Sequence, residues 1–134
     1  MIIWLASYPR SGNTFLRIVV DRLYGRGTST VYPVDGVLKR LGGHVVTAEE
    51  AGLSLAEMRA SSDVHFVKTH RRRDYDVCDA DAALYLVRDG RDALVSFAHQ
   101  RSEEAPERYP DELRTLIDRH SGGTGIWGQN VLSW

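Results

Sequence analysis

Five consecutive residues, Arg10-Ser11-Gly12-Asn13-Thr14, carry the groups from which an oxyanion site is made: a fixed guanidinium charge, two hydroxyl donors, an amide, and a glycine that admits an anion close to the backbone. They stand between a β-prone apolar run, Ile2-Ile3-Trp4-Leu5, closed by Tyr8-Pro9, and a series at helical spacing, Phe15, Leu16, Val19, Val20 and Leu23. Ser11 to Thr14 therefore fall at the cap or first turn of a helix. There the backbone N–H groups lack intrahelical partners, and the macrodipole places roughly half a positive charge. The expected ligand is phosphate-like. Taken alone, Ser11-Gly12-Asn13-Thr14 equally describes the cap of an ordinary strand-turn-helix.

Set against the nucleotide-binding pattern G-x-x-x-x-G-K-[ST], the frame Ser7-x-x-x-x-Gly12-Asn13-Thr14 has Ser for the first Gly and Asn for the Lys. A kinase or ATPase places that Lys on the β- and γ-phosphates, usually with Mg²⁺ beside it. A P-loop nucleotide kinase is thus the lesser reading, and a different phosphate donor is expected.

Two further points of positive charge follow apolar runs. Val64-His65-Phe66-Val67 reads as a strand running into Lys68-Thr69-His70-Arg71-Arg72-Arg73. Lys68 is either an anion ligand or a strand end, His70 either a base or a surface histidine, and Arg71 to Arg73 read as solvated charges. Ala82 to Val87 is a continuous apolar run, as expected for a strand covered on both faces, and it ends at Arg88, with Asp89 and Asp92 as possible ion-pair partners. Asp89-Gly90 marks a turn, after which Ala93, Leu94, Phe97 and Ala98 mark a helix. Strands separated by helical stretches imply parallel pairing through right-handed crossovers, hence an α/β domain. Because ligands collect at the carboxyl ends of such strands, Tyr8 to Thr14, Lys68 to Arg73 and Arg88 to Asp92 are expected on one rim.

The remaining elements are quieter. Gly25 and Gly27 end the first helix, and Ser29 to Pro33 read as an extended connection. Val37, Leu38 and Leu41 suggest a short helix stopped by Gly42-Gly43, and Leu53, Leu55 and Met58 suggest another. Thr47 with Glu50 and Ser54 with Glu57 fit capping boxes. The stretch from Val34 to Ser62 has no readable chemistry and is taken as an insertion beside the site. Leu113, Leu116 and Ile117 follow Tyr109-Pro110 at helical spacing, and Gly122, Gly123 and Gly125 lead to Trp127, Val131 and Trp134.

With 134 residues the chain is one domain at most, and 17 Lys and Arg against 18 Asp and Glu give no general attraction to nucleic acid or membrane. Anion binding must therefore be local. Cys78 is the lone cysteine, which excludes an internal disulfide or a cysteine zinc cluster, and His44, His65, His99 and His120 lack metal-ligand spacing, so no metal is expected. Met1 leads into the first apolar run without a basic leader, and no segment has the ~18 apolar residues that span a bilayer. A soluble, cytoplasmic protein is expected.

Two motifs in this order resemble those of the sulfotransferases that use 3′-phosphoadenosine 5′-phosphosulfate (PAPS). YPRSGNTFLR, Tyr8 to Arg17, is similar to the family's 5′-phosphosulfate loop, commonly YPKSGTTWL. YLVRDGRDALVSF, Tyr85 to Phe97, is similar to its 3′-phosphate segment, in which an Arg ending a strand and a Ser in the following helix contact the 3′-phosphate; Arg88 and Ser96 have that separation. Between them Val67-Lys68-Thr69-His70 looks like the segment that holds the family's catalytic His.

The resemblance implies a three-layer, P-loop NTPase-like α/β architecture with a parallel sheet, and transfer of a sulfuryl group from PAPS to an acceptor hydroxyl or amine without a metal. It implies Arg10, Ser11, Gly12, Asn13 and Thr14 on the phosphosulfate, Arg88 and Ser96 on the 3′-phosphate, and His70 as the base, with Arg10 and Lys68 assisting the reaction. Arg10 stands where many members have Lys; a guanidinium keeps its proton at neutral pH, so its role is electrostatic. The closing segment, Gly125 to Trp134, looks like the middle of a typical family domain, so residues 1–134 read as a single domain incomplete toward its C-terminus. The alternative expectation is a non-catalytic nucleotide-binding or assembly module that self-associates through an exposed sheet edge. The acceptor is not encoded in any legible motif.

Overall fold

The computed structural model describes residues 1–32, 53–73, 76–119 and 122–134. Its first strand, β1 (Ile2–Ser7), is the apolar run that opens the chain; Ile2, Trp4, Leu5 and Ala6 are fully buried. β1 pairs in parallel with β3 (His65–Thr69), Ile2 opposite His65 and Ala6 opposite Thr69. On the far side of β3 lies β2 (Thr28–Thr30), also parallel, and β4 (Ala82–Leu86) completes an all-parallel sheet in the order β2-β3-β1-β4. The α/β expectation holds. Among the described residues no helix is long and apolar enough to cross a membrane.

By its contacts the chain divides into two compact units. The first comprises Met1–Ala6, Asn13–Thr69 and Cys78–Tyr85. Here α1 (Asn13–Tyr24) buries Asn13, Arg17 and Val20, while Phe15 and Leu23 of the apolar series are exposed. The inward stripe is thus largely polar, and its polar members are bonded: Asn13 Nδ2 donates to the Leu5 carbonyl at 2.7 Å, and Arg17 Nε to Thr28 Oγ1 at 2.8 Å. Thr28-Ser29-Thr30 is a strand and not merely an extended connection, since it pairs with β3, and it brings a hydroxyl to a buried guanidinium. A short helix, α2 (Leu55–Ala60), buries Met58 and begins with the expected capping box, Ser54 Oγ accepting from the Glu57 amide and Glu57 Oε2 from the Ser54 amide. The helix expected around Val37 to Leu41, the Thr47 and Glu50 box, His44 and His120 lie outside the described residues.

The polar centre of this unit is Asp81, whose side chain is only 3% exposed. Its carboxylate accepts from Trp4 Nε1 at 2.9 Å, from Arg59 Nη2 at 2.7 Å and Nε at 3.1 and 3.3 Å, and from the Cys78 amide at 3.1 Å. Burial by itself would raise the Asp81 pKa, but the hydrogen bonds from Arg59, Trp4 and the Cys78 amide outweigh it and hold the carboxyl at about 2.

β4 departs from expectation. It ends the strand order, and Ala82, Ala83 and Leu84 are exposed, Leu84 by 49%. The run was expected to be covered on both faces; a continuous apolar segment is equally compatible with a sheet edge, because hydrophobicity does not count neighbouring strands.

The second unit comprises Ser7–Gly12, His70–Val77 and Leu86–Trp134. It holds α3 (Gly90–Arg101), a 3₁₀ turn (Pro106–Arg108), α4 (Tyr109–Asp118), a second 3₁₀ turn (Gly122–Thr124) and α5 (Trp127–Ser133). Asp89 caps α3, its Oδ1 accepting from the Arg91 amide at 2.9 Å. Gly90, read from sequence as a turn residue, is a packing requirement: a Cβ there would lie 2.9 Å from the Trp127 indole. α3 and α4 are tied by buried Glu112, which takes Arg101 at 2.7 Å and Arg108 at 3.0 Å, and by the His99 and Tyr109 rings, stacked 4.3 Å apart.

Candidate anion site

The segments that follow β1, β3 and β4 all belong to the second unit, and hydrogen bonds join them there. Ser11 N donates to the Tyr8 carbonyl at 3.3 Å, closing a turn that contains Arg10; Arg10 and Gly12, the residue after the turn, both have positive φ, 67° and 99°. Gly12 adopts that conformation freely and has open space where a Cβ would stand, as the close approach of an anion requires. Arg10 does not adopt it freely; a non-glycine residue there is strained and persists only where its surroundings hold it. They do so at both ends. Arg88 Nη1 donates to the Arg10 carbonyl at 3.1 Å, and Arg10 Nε donates to Ser96 Oγ at 3.1 Å.

Arg10, Arg88 and Ser96, placed by sequence in separate loops, therefore form one cluster. Of the two acidic neighbours, Asp92 stands 3.9 Å from Arg88, while Asp89 pairs instead with Arg91 at 2.9 Å, and that exposed guanidinium's hydrogen bonds hold the Asp89 carboxyl at about 2. Beside the cluster, two polar atoms of the loop, Ser11 Oγ and the Tyr8 hydroxyl, are buried with no hydrogen-bond partner among the described residues. Burial pushes the Tyr8 phenol up to about 12 against the opposing pull of Arg101, and its ring meets Phe97 edge-on at 6.1 Å.

His70 is half-buried against β1's last residue: its Nδ1 lies 2.8 Å from the Ser7 carbonyl and 3.2 Å from Ser7 Oγ. A carbonyl only accepts, so Nδ1 carries the proton and donates it, and the basic lone pair falls on Nε2. The backbone of His70 is fixed in turn by α5, where the buried Asn130 donates Nδ2 to the His70 carbonyl at 2.9 Å and to the Thr124 carbonyl at 2.8 Å. The same segment ties the next residues, through Arg72 N to the Gly123 carbonyl at 2.9 Å, Trp134 Nε1 to the Arg71 carbonyl at 3.0 Å, and Arg73 N to Ser133 Oγ at 3.2 Å. Asn130 was not singled out from sequence, since its bond to His70 goes to a backbone carbonyl far away along the chain. Of the basic run, only Arg73 is exposed; Arg71 is half-buried and bonds Asp76 at 2.7 Å.

The other candidate residues belong to the first unit. Asn13 uses its amide on the Leu5 carbonyl, Thr14 is half-buried, and the buried Lys68 holds Nζ over the Tyr32 ring at 5.3 Å from its centroid. Among the described residues no three His, Cys, Asp or Glu are grouped as a metal site would require.

Comparison with known proteins follows the same lines. A WSCD family member of Aedes aegypti is 32% identical over 136 residues, covering 97% of this chain and 39% of its own length. Relatives of the same name in Drosophila pseudoobscura pseudoobscura and Drosophila melanogaster are each 32% identical, over 81% and 78% of this chain but only 32% and 31% of theirs. The chain thus spans between three-tenths and two-fifths of the relatives it matches. The sulfotransferase domain matches residues 2–134, and the chain belongs to that family.

Proposed function

We propose that this chain carries the donor site of a sulfotransferase that moves a sulfuryl group from PAPS to an acceptor hydroxyl or amine. The observation that carries the reading is the buried, unpartnered Ser11 hydroxyl in the same unit as the Arg88 and Ser96 cluster. PAPS supplies the activated sulfuryl group and presents anions at two points of its ribose. Ser11 and Gly12 face the phosphosulfate, and Arg88 and Ser96 take the 3′-phosphate. Asn13, Thr14 and Lys68 join the phosphosulfate ligands by resemblance.

In this mechanism the acceptor oxygen bonds to sulfur as the bridging bond to phosphate breaks, and the electron pair stays on the departing phosphate. The acceptor proton passes to Nε2 of His70, while the Ser7 carbonyl keeps the ring oriented through Nδ1. Arg10 adds a permanent positive charge to the site. Calorimetric titration tests the site. 3′,5′-Adenosine bisphosphate should bind at least about tenfold more tightly than 5′-AMP, the increment of a charge-assisted contact; equal affinities overturn the 3′-phosphate assignment. The exposure of β4 favours a second reading, a non-catalytic module that assembles through this edge; a monomer in light scattering would exclude the assembly, and sulfuryl transfer by the chain itself the non-catalytic role.

A further inference from the structure

We infer that Arg10, although it sits in the loop assigned to the phosphosulfate, is a ligand of the 3′-phosphate and sets the preference for nucleotides that carry one. The inference rests on the donor reading above and moves one residue within it. Both ends of Arg10 are engaged by the residues at the 3′-phosphate: its carbonyl by Arg88 at 3.1 Å and its Nε by Ser96 Oγ at 3.1 Å. The same residue holds a positive φ of 67°, a conformation a non-glycine residue keeps only where its surroundings hold it.

The chemistry of the cluster is complementary to a phosphate. Ser96 Oγ, by accepting from Arg10, is left to donate its own proton, and an anion receiving that proton lies next to the guanidinium. Arg10 donates to Ser96 through Nε, and among the described residues its terminal N–H groups have no other partner, so they are available to an oxyanion bound beside Ser96. Arg88 has a single, long ion pair, to Asp92 at 3.9 Å, and Arg10 adds a second guanidinium to the cluster, so positive charge is in excess for a dianion to balance. A lysine at position 10 could not reproduce this, since an ammonium is a point charge with no side-on donor along its stem.

The test titrates the 134-residue chain with 3′,5′-adenosine bisphosphate and 5′-AMP, in the wild type and in Arg10→Lys. Arg10→Lys should cut the preference for the bisphosphate about tenfold and change 5′-AMP affinity by less than about threefold. Loss of affinity for both nucleotides alike assigns Arg10 to the 5′ end and overturns the inference. A preference unchanged in Arg10→Lys overturns it as well, and leaves the donor reading standing. A wild type without any preference overturns the donor reading and the inference together. Should circular dichroism show Arg10→Lys unfolded, Arg10→Gly, whose backbone accepts the positive φ of 67°, removes the guanidinium instead and must produce the same selective loss; an intact preference in Arg10→Gly overturns the inference.

Discussion

Asp81 and Ser11 are both buried polar groups, and the protein treats them in opposite ways. Around Asp81 every requirement is met internally, by an indole, a guanidinium fork and a backbone amide. Around Ser11 the hydroxyl is buried and has no partner among the described residues, with a positive cluster beside it. A closed network of this kind contributes to holding a fold together; an open one costs stability until something from outside completes it. Asp89 shows that a low pKa does not by itself mark the first kind. Its carboxyl is held at about 2 like that of Asp81, but the Asp89 and Arg91 pair lies at the surface, where water screens it.

The comparison predicts that substitutions in the two regions separate into different assays. The largest effect belongs to the open region: His70→Ala should lower sulfuryl transfer by ~10²- to 10⁴-fold with nucleotide affinity and unfolding midpoint nearly unchanged. Turnover at the wild-type rate would remove His70 from the mechanism. In the closed region, Asp81→Ala should cost about 2–4 kcal/mol in urea unfolding, because Arg59 and the Trp4 N–H lose a buried acceptor. The same carboxyl makes stability depend on pH. Its folded pKa lies below the ordinary 3.8, so its contribution is complete above about pH 4 and is lost as pH falls toward 2; integrated over that window it amounts to roughly 2 kcal/mol. An acid limb identical in wild type and Asp81→Ala would show that the hub does not couple to folding. The smallest effect sharpens the contrast most. Ser11→Ala should leave the unfolding midpoint unchanged or slightly raised, yet weaken 3′,5′-adenosine bisphosphate about three- to tenfold; a destabilised variant with intact affinity would make Ser11 part of a closed network instead.

What could be read from the sequence was whatever depends on near neighbours. β1, β3 and α3 declare themselves through apolar runs or helical spacing, and the Ser54 and Glu57 box needs only residues three apart. β2 escaped because Thr28-Ser29-Thr30 has no apolar signal, and its partners, β3 and the Arg17 guanidinium, are set by the fold. The series on α1 suggested an apolar inner face, whereas Arg17 is fully buried and Phe15 is exposed, a reversal that the bond from the guanidinium to Thr28 helps to stabilise. The same limit applies at the site. Resemblance ordered Arg10, His70, Arg88 and Ser96 along the chain, but the bond from Arg10 to Ser96 and the support of the His70 carbonyl by Asn130 join residues far apart in sequence.

The left-handed turn at Arg10 has a consequence for how a ligand would be received. A loop that reaches an uncommon conformation and is tied there by Ser11, Arg88 and Ser96 has already given up its freedom during folding. An incoming anion would not have to organise it. The entropic cost of ordering the cradle is charged to the stability of the domain, so the binding energy of the anion is available for holding the donor in place.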